Sequence, residues 1–191
     1  MLTLSEGSKL VKLAREAIET KFAGREIEKV KEAKFMLNRG VFVTLNAYPS
    51  HSLRGCIGFP YAVMPLSKAV IDSARNAAFS DPRFPALGKE ELEKIVIEIS
   101  VLTEPQEIKD FKEIKIGRDG LICKFMHYSG LLLPQVATEY HMTREEFIKQ
   151  TCMKAGLPAS AYTNPQCKFY RFQAQIFSEV EPKGKVVEKK E

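Results

Sequence analysis

The sequence lacks the features that mark several large classes of protein. It contains no run of about eighteen apolar residues, so it offers no candidate membrane-spanning helix and we expect no membrane partner. Its beginning, MLTLSEGSKLVK, lacks the basic-then-apolar order of a secretory signal, and we therefore expect a cytoplasmic protein. Neither a GxGxxG nor a GxxxxGKS/T loop is present, which argues against the nucleotide-dependent enzymes that rely on these loops.

Metal-ligating and redox motifs are missing as well. No two of the four cysteines form a CxxC pair, so we predict neither a zinc ribbon nor a dithiol redox motif. Without a secretion signal we expect no disulfide, and the simplest interpretation of every cysteine is a small buried hydrophobic residue. The four are Cys56, Cys123, Cys152 and Cys167. No cluster of His, Asp and Glu has metal-ligand spacing, so we predict no metal site, and the sequence identifies no cofactor.

The charge balance is only mildly basic. The formal net charge is +5 and the pI about 8.9, and part of the excess comes from the polar tail at 183–191. One segment, KFYRFQ, interleaves basic and aromatic residues as nucleic-acid-binding strands do. Its Tyr170 and Phe172 share the face that we predict to be buried, so nucleic-acid binding is not favoured. A protein partner or a small anionic ligand remains open.

The hydrophobic pattern predicts elements in the order α, β, β, α, β, β, β, α, β. Apolar residues recur at helical spacing over 8–23, and β-branched or alternating runs at 40–48 and 95–102 indicate strands. Short connections and the lack of regular βαβ alternation favour an α+β fold with a mostly antiparallel sheet and packed helices. We expect one domain over 1–182, with room for a smaller internal lobe, and a flexible tail over 183–191.

Four further segments carry local predictions. Pro65 fits the first turn of a helix that extends to Phe79. KEIKIGRDGLICKF is typical of a hairpin with its turn at RDG, and YSG at 128–130 offers a second reversal. Thr143 opens a capping box, and the helix that follows ends at Gly156. FYRFQAQIF alternates and is predicted to be a single strand with one wet face.

The stretch SLRGCIGF is the strongest candidate for a functional site. Arg54 and Cys56 are two residues apart, so an extended strand would point both side chains to one face, where the guanidinium favours the reactive thiolate. Gly55 and Gly58 weaken a strand and would leave room for a ligand to approach the backbone. A thiol nucleophile also needs a base, and His51 is the histidine closest to it in the chain.

A purely structural interpretation of this stretch is a glycine-kinked strand with a core cysteine and a surface arginine. We favour a functional pocket over it, because the glycines and the charge both cost the strand stability. Covalent catalysis by Cys56 is not favoured, because no convincing base accompanies it.

Other polar segments are weaker candidates. In SDPRFPAL, Asp81 can accept from backbone N–H groups and Arg83 can bind an anion, although a rigid turn with a locally paired Asp81 is favoured on pattern alone. Gln135 in LLLPQV is interpreted as a helix-start residue that points to water. His127 and His141 are interpreted as surface or loop residues, and KEELEK as a solvated face.

Several segments follow one another in an order that goes beyond these patterns: VFVTL, LRGCIG, AFSDPRFPAL, IEISVLTEP, GLLLPQVA, TCMKAGL and FQAQIFSE. Together they resemble the AMMECR-one family over roughly 8–180, and LRGCIG is the most specific of them. The chain departs from the family at Tyr162, where members usually carry a tryptophan, and at His141-Met142, where they often carry a Gly-Trp pair. The sequence has no tryptophan at all.

The resemblance implies a fold of two unequal lobes with the LRGCIG motif in a cleft between them. It also implies that 53–58 and 81–84 form the site. It implies no established activity. Prokaryotic members often occur beside, or fused to, a Memo-like domain and a radical S-adenosylmethionine enzyme, which indicates a shared modification pathway.

Three hypotheses of function follow. The first is a cleft-binding enzyme or enzyme subunit in which Cys56 is the catalytic nucleophile or a thiol ligand. Its proposed binding residues are Arg54, Gly55, Gly58, Asp81 and Arg83. The second is a non-catalytic adaptor that recognises a protein or a nucleic acid through the same cleft. The third is that LRGCIG has only an architectural role.

Overall fold

The chain divides into two units, Met1–Leu102 with Gln175–Lys190 and Thr103–Ala174. The structure, a computed structural model, describes residues 1–27 and 30–189. The helices are α1 (Leu4–Ala23), α2 (Leu66–Phe79), α3 (Pro134–Glu139) and α4 (Arg144–Lys154). The strands are β1 (Val41–Ala47), β2 (Leu53–Phe59), β3 (Ile95–Leu102), β4 (Gln106–Glu107), β5 (Gly120–Phe125), β6 (Tyr128–Leu132), β7 (Lys168–Phe172), β8 (Ala174–Glu179) and β9 (Val186–Lys189). Short 3₁₀ helices span Ala33–Met36, Lys89–Lys94, Phe111–Glu113 and Ala159–Thr163. None of the described helices is long and apolar enough to cross a membrane.

The first unit is built on a five-stranded sheet in the order β2-β1-β3-β8-β9. Strand β1 runs antiparallel to β2 and to β3, with Val43 opposite both Ile57 and Ile99. Helices α1 and α2 contact each other and strands β1 to β3. Val43 and Ile99 are fully buried in the core of this unit. Because side chains alternate along a strand, the intervening residues Thr44 and Glu98 lie on the other face of the sheet.

The structure confirms the predicted helices and corrects the start of the first one. Helix α1 begins at Leu4 rather than at residue 8, because Thr3 and Glu6 form a capping box that satisfies the first free N–H groups. It ends at Gly24, whose left-handed φ of 62° suits glycine. Helix α2 follows Pro65 directly, and Thr143 opens α4 with a second capping box.

A buried ion pair in the first unit was not predicted from the sequence. The Arg15 guanidinium donates to both carboxylate oxygens of Glu179, and its remaining donors bond the carbonyls of Leu92 and Ile95. Glu179 also accepts from the N–H of Ile97 at 2.9 Å. Arg15 and Glu179 are each only 6% exposed. This pair therefore joins α1, β3 and β8 within the core.

The second unit contains an antiparallel sheet in the order β4-β7-β5-β6. Its core includes three of the four cysteines, and the Sγ atoms of Cys123 and Cys167 lie 3.2 Å apart. Burial raises the pKa of the Cys123 and Cys152 thiols. The interpretation as buried hydrophobic residues holds for these three, whereas Cys56 is only half-buried.

The predicted hairpin over KEIKIGRDGLICKF is wrong. Strand β5 pairs instead with β6 and β7, with Ile122 opposite Leu131 and Tyr170. The preceding residues form a turn that the buried Asp119 closes, because its carboxylate accepts from the N–H of Lys115 at 2.9 Å. The predicted reversal at YSG is also wrong, since these residues lie within β6.

The segment FYRFQAQIF is two strands rather than one. Strand β7 belongs to the sheet of the second unit, and β8 belongs to the sheet of the first. The chain changes sheets at Gln173, so the alternation does not continue across it. Phe172 and Phe177 are both buried although they are an odd number of residues apart.

The tail at 183–191, which was predicted to be flexible, contains a strand, and its residues 190 and 191 lie outside the described residues. Val186–Lys189 forms β9, which pairs antiparallel with β8, and Ser178 lies opposite Val187. Val186 packs into the core of the first unit at 7% exposure. The burial of Val186 and the pairing of β9 with β8 hold this segment on the sheet of the first unit.

Candidate functional site

The LRGCIG motif forms strand β2, which stands at one end of the five-stranded sheet. Cys56 lies opposite Thr44 of β1 and Gly55 lies opposite the buried Leu45. The register then shifts, so that Leu53 pairs with Asn46 and Arg54 has no partner in β1. The strict alternation that would place Arg54 beside Cys56 therefore fails at this irregularity.

Arg54 is engaged by a carboxylate rather than by the cysteine. Its Nε and Nη2 donate to the two oxygens of Glu91 at 2.8 and 3.1 Å. These hydrogen bonds, with one from the N–H of Gly88, hold the pKa of the Glu91 carboxyl below its usual range. The guanidinium carbon of Arg54 lies 6.0 Å from the ring centre of Phe84. Nη1 of Arg54 is buried and has no hydrogen-bond partner among the residues that the structure describes.

Asp81 and Arg83 bond the backbone of Cys56. Asp81 Oδ2 accepts from the N–H of Cys56 at 2.9 Å, and Arg83 Nη2 donates to the carbonyl of Cys56 at 3.1 Å. Arg83 also donates to both oxygens of Asp81, from Nε at 3.0 Å and from Nη2 at 2.8 Å. A strand at the edge of a sheet has backbone groups that pair with no neighbouring strand. At Cys56 the N–H bonds Asp81 and the carbonyl bonds Arg83. Asp81 pairs with its neighbour Arg83, as its turn predicted, and it also accepts a hydrogen bond from the backbone of β2.

The thiol of Cys56 has one hydrogen-bonding side chain within the described ranges, 1–27 and 30–189. Thr44 Oγ1 donates to its Sγ at 3.2 Å. The ring of His51 packs against Tyr48, with ring centres 6.2 Å apart, and makes no hydrogen bond to the thiol. No group of three or more His, Cys, Asp or Glu side chains in the described part of the chain could hold a metal ion.

Both glycines of the motif are approached closely by other parts of the first unit. A Cβ at Gly55 would overlap the carbonyl oxygen of Ala77, near the end of α2. A Cβ at Gly58 would overlap the carbonyl oxygen of Val41 and the ring of Phe42. The space that the sequence suggested for a ligand is thus filled by protein at both positions. Helix-to-strand and strand-to-strand packing explains these glycines.

Two residues of the arrangement, Thr44 and Glu91, were missed from the sequence, whereas Phe84 lies in the 81–84 segment that the family resemblance implied. Two guanidiniums lie near the ring of Phe84, with the carbon of Arg83 5.5 Å and that of Arg54 6.0 Å from its centre. Glu91 belongs to KEELEK, which was interpreted as a solvated face, and its pairing with Arg54 corrects that interpretation. No local pattern distinguishes Glu91 from its acidic neighbours, because the bond depends on a contact between distant segments.

Asp81→Asn should destabilise the protein in a pH-dependent way. Hydrogen bonds from Arg83, with one from the N–H of Cys56, hold the pKa of Asp81 well below its usual range. Because the pKa of Asp81 is lower in the folded protein, its ionised carboxylate stabilises the fold at pH values above its unfolded pKa of about 4. This stabilisation is lost progressively as the pH falls below that value. Urea unfolding should therefore show a large gap between wild type and Asp81→Asn at pH 7 and a smaller gap near pH 3. The control Asp72→Asn, which removes a surface carboxylate paired with Lys68, should show little change at either pH. A gap of equal size at both pH values would contradict the ionic role of Asp81.

The chain is similar to known proteins over its whole length. The family model AMMECR1 matches residues 11–177. Protein MJ0810 of Methanocaldococcus jannaschii is 49% identical over 100% of this chain and 98% of its own length. Protein PF1979 of Pyrococcus furiosus is 50% identical over 96% of this chain and 92% of its own length. The crystal structure of the uncharacterized protein PH0010 from Pyrococcus horikoshii matches with a TM-score of 0.81 at 46% identity, over 96% of each chain.

Proposed function

The chain belongs to the AMMECR1 family, and from this premise we propose that it is a binding protein or an enzyme subunit that uses the Cys56 site. The Cys56 site comprises Arg54, Cys56, Asp81, Arg83 and Phe84. One observation carries the proposal. Cys56 is the one cysteine of the four that is not buried, and side chains hold both its N–H and its carbonyl. A backbone held from both sides presents its side chain in a fixed position, as a binding group requires.

Arg83 is the better candidate for contact with an anionic ligand. The Arg54 side chain is 14% exposed and its charge is paired with Glu91. The Arg83 side chain is 53% exposed, and Asp81 occupies only its Nε and Nη2. Its Nη1 has no hydrogen-bond partner in the described part of the chain and can donate to a ligand. We assign to Arg54 the role of positioning Phe84 and Glu91.

Nucleophilic catalysis by Cys56 is the second candidate. The hydrogen bond from Thr44 Oγ1 to Sγ favours it, because a donor to the charged form stabilises a thiolate. Among the residues described, no histidine or carboxylate hydrogen-bonds the sulfur, and Asp81 bonds the backbone of Cys56 instead, which favours binding. A non-catalytic adaptor that recognises a protein through the same site is compatible with the first candidate.

The proposed setting is a modification pathway. Its support is the family resemblance, in which prokaryotic members accompany Memo-like and radical S-adenosylmethionine proteins. A partner or substrate that covers the Cys56 site would shield the thiol. This makes the reactivity of Cys56 a measure of binding as well as of chemistry.

Alkylation by iodoacetamide at pH 7 should modify Cys56 at least about ten times faster than the other three cysteines. The buried thiols are inaccessible, and burial raises the pKa of Cys123 and Cys152. Peptide mass spectrometry over time measures each rate. A purified Memo-like protein, added in excess, should slow the modification of Cys56 alone. Alkylation of Cys56 at the same rate as Cys167, or more slowly, would contradict a presented thiol.

Thr44→Val separates the two candidates, because it removes the hydroxyl donor and keeps the side-chain shape. If this hydrogen bond activates the thiol, the variant should lower the alkylation rate of Cys56 about threefold to tenfold, the loss expected for a hydrogen bond that contributes about 1 kcal/mol. Thr163→Val, at an exposed threonine that bonds the Ser160 carbonyl, is the matched control and should leave the rate unchanged. An unchanged rate in Thr44→Val would count against the nucleophile while leaving the binding function standing.

A further inference from the structure

A cleft in the second unit contains residues that the Cys56 site does not use. It has a volume of about 460 Å³ and is lined by Ile116, Gly117, Arg118, Gln135 and Thr138. We call this cleft, lined by these five residues, the Arg118 cleft. The volume lies within the range of roughly 300–1,000 Å³ that is typical of small-molecule sites. Gln135 comes from the LLLPQV segment, for which the Cys56 site offers no role.

Arg118 is held in place by a buried carboxylate. Its Nε and Nη2 donate to the two oxygens of Asp119 at 2.7 and 2.6 Å. Asp119 is fully buried and also accepts from the N–H of Lys115 and from the side chain of Gln173. Burial alone would raise the pKa of Asp119, but these hydrogen bonds, that from Arg118 first among them, keep it below its usual value. The carboxylate therefore stays ionised and keeps the guanidinium in one orientation.

The arrangement leaves hydrogen-bond donors free at the cleft. Asp119 occupies one edge of the Arg118 guanidinium, and Nη1 has no partner in the described part of the chain. The Arg118 side chain is 40% exposed. The side-chain amide of Gln135 likewise bonds none of the described residues, whereas its backbone carbonyl accepts from the Thr138 hydroxyl. The cleft thus offers a guanidinium edge and an amide.

The apolar part of the cleft comes from a close approach of two segments. Gly117 has a φ of 83°, which disfavours any other residue, and a Cβ there would lie 3.1 Å from the Thr138 methyl group. Glycine thereby lets the 116–118 turn lie close to α3. Ile116, which is 37% exposed, adds an apolar wall.

We propose that the Arg118 cleft binds a small molecule through a carboxylate or phosphate group, with a short apolar portion against Ile116 and Thr138. The end of a guanidinium matches two oxygens of such a group, and fixing that guanidinium beforehand lowers the entropic cost of binding. Gln135 donates a further hydrogen bond from its amide. None of these residues belongs to the Cys56 site, so the two proposals stand or fall separately.

Titration of the full chain with benzoate and, separately, with inorganic phosphate tests this proposal at constant ionic strength. In ¹H–¹⁵N NMR spectra the amides of Gly117, Arg118, Gln135 and Thr138 should shift and saturate. A response to benzoate alone identifies a carboxylate ligand, a response to phosphate alone identifies a phosphate ligand, and a response to both supports the shared oxyanion chemistry. The absence of a saturating response to either probe would overturn the proposal.

Gln135→Glu is the matching variant, because it keeps the side-chain length and places a negative charge in the cleft. It should raise the dissociation constant of either probe that binds at least about tenfold, as like charges in one site repel. Gln135 is half-exposed, so folding should be preserved and can be confirmed from the dispersion of the same spectra. Gln166→Glu adds the same charge at an exposed position of this unit and should leave the constant unchanged. Equal affinity in wild type and Gln135→Glu would overturn the proposal.

Discussion

Glu179→Ala should lower the free energy of unfolding by about 3–5 kcal/mol, the usual cost of breaking a buried ion pair from one side. The substitution leaves the Arg15 guanidinium, which is 6% exposed, without its carboxylate. It also removes the acceptor for the N–H of Ile97. The effect should be visible as a large shift of the urea midpoint at pH 7. If the dependence of the unfolding free energy on urea concentration is unchanged, the variant exposes the same surface area on unfolding as the wild type.

Two further variants test why Glu179→Ala is costly. Arg15→Met with Glu179→Leu removes both charges, so it should be less destabilised than Glu179→Ala alone, since no buried charge is left unpaired. Glu93→Ala breaks the exposed pair with Lys183 and should change stability little. If Glu179→Ala behaved like Glu93→Ala, the Arg15–Glu179 pair would not hold α1, β3 and β8 together as its contacts indicate.

The parts of the fold that the sequence predicted correctly are those fixed by local chemistry. The capping box at Thr143 and the proline before α2 act within a few residues, so they can be found without knowing any tertiary contact. The capping box at Thr3 is equally local, but it was not predicted. The hairpin over KEIKIGRDGLICKF failed because its turn residues also suit the turn that Asp119 closes. Only strand pairing over long sequence distances decides between these two structures.

The candidate site shows the same division. The sequence could single out LRGCIG and SDPRFPAL, because glycines and charges are unusual in a strand and prolines exclude regular structure. It could not show that Asp81 and Arg83 bond the backbone of Cys56, since the segments are separated by helix α2. Nor could it show that Arg54 pairs with Glu91 instead of a ligand. The motif and its charge made Arg54 a candidate for binding an anion, but Glu91 balances that charge.

Gly55→Ala should destabilise the first unit by about 3 kcal/mol, at the upper end of the usual cost of overpacking a core. The added methyl group would overlap the carbonyl oxygen of Ala77, and a backbone oxygen in a helix cannot rotate away. Relief requires α2 to move from β2. Because Asp81 follows α2 directly and accepts from the N–H of Cys56, such a movement should also disturb the Cys56 site. Urea unfolding and the alkylation rate of Cys56 should therefore change together.

Gly88→Ala provides the matched control for this glycine. A Cβ at Gly88 would meet only the end of the flexible Glu90 side chain, so its cost should be small. The comparison separates the two explanations of Gly55 that the sequence left open. If Gly55 provided space for a ligand, Gly55→Ala should be as stable to unfolding as Gly88→Ala. It would then lose only the binding that protects Cys56 from alkylation. Since a helix carbonyl already fills that space, we expect the stability to fall first, and the glycine to serve the site by letting α2 hold Asp81 against β2.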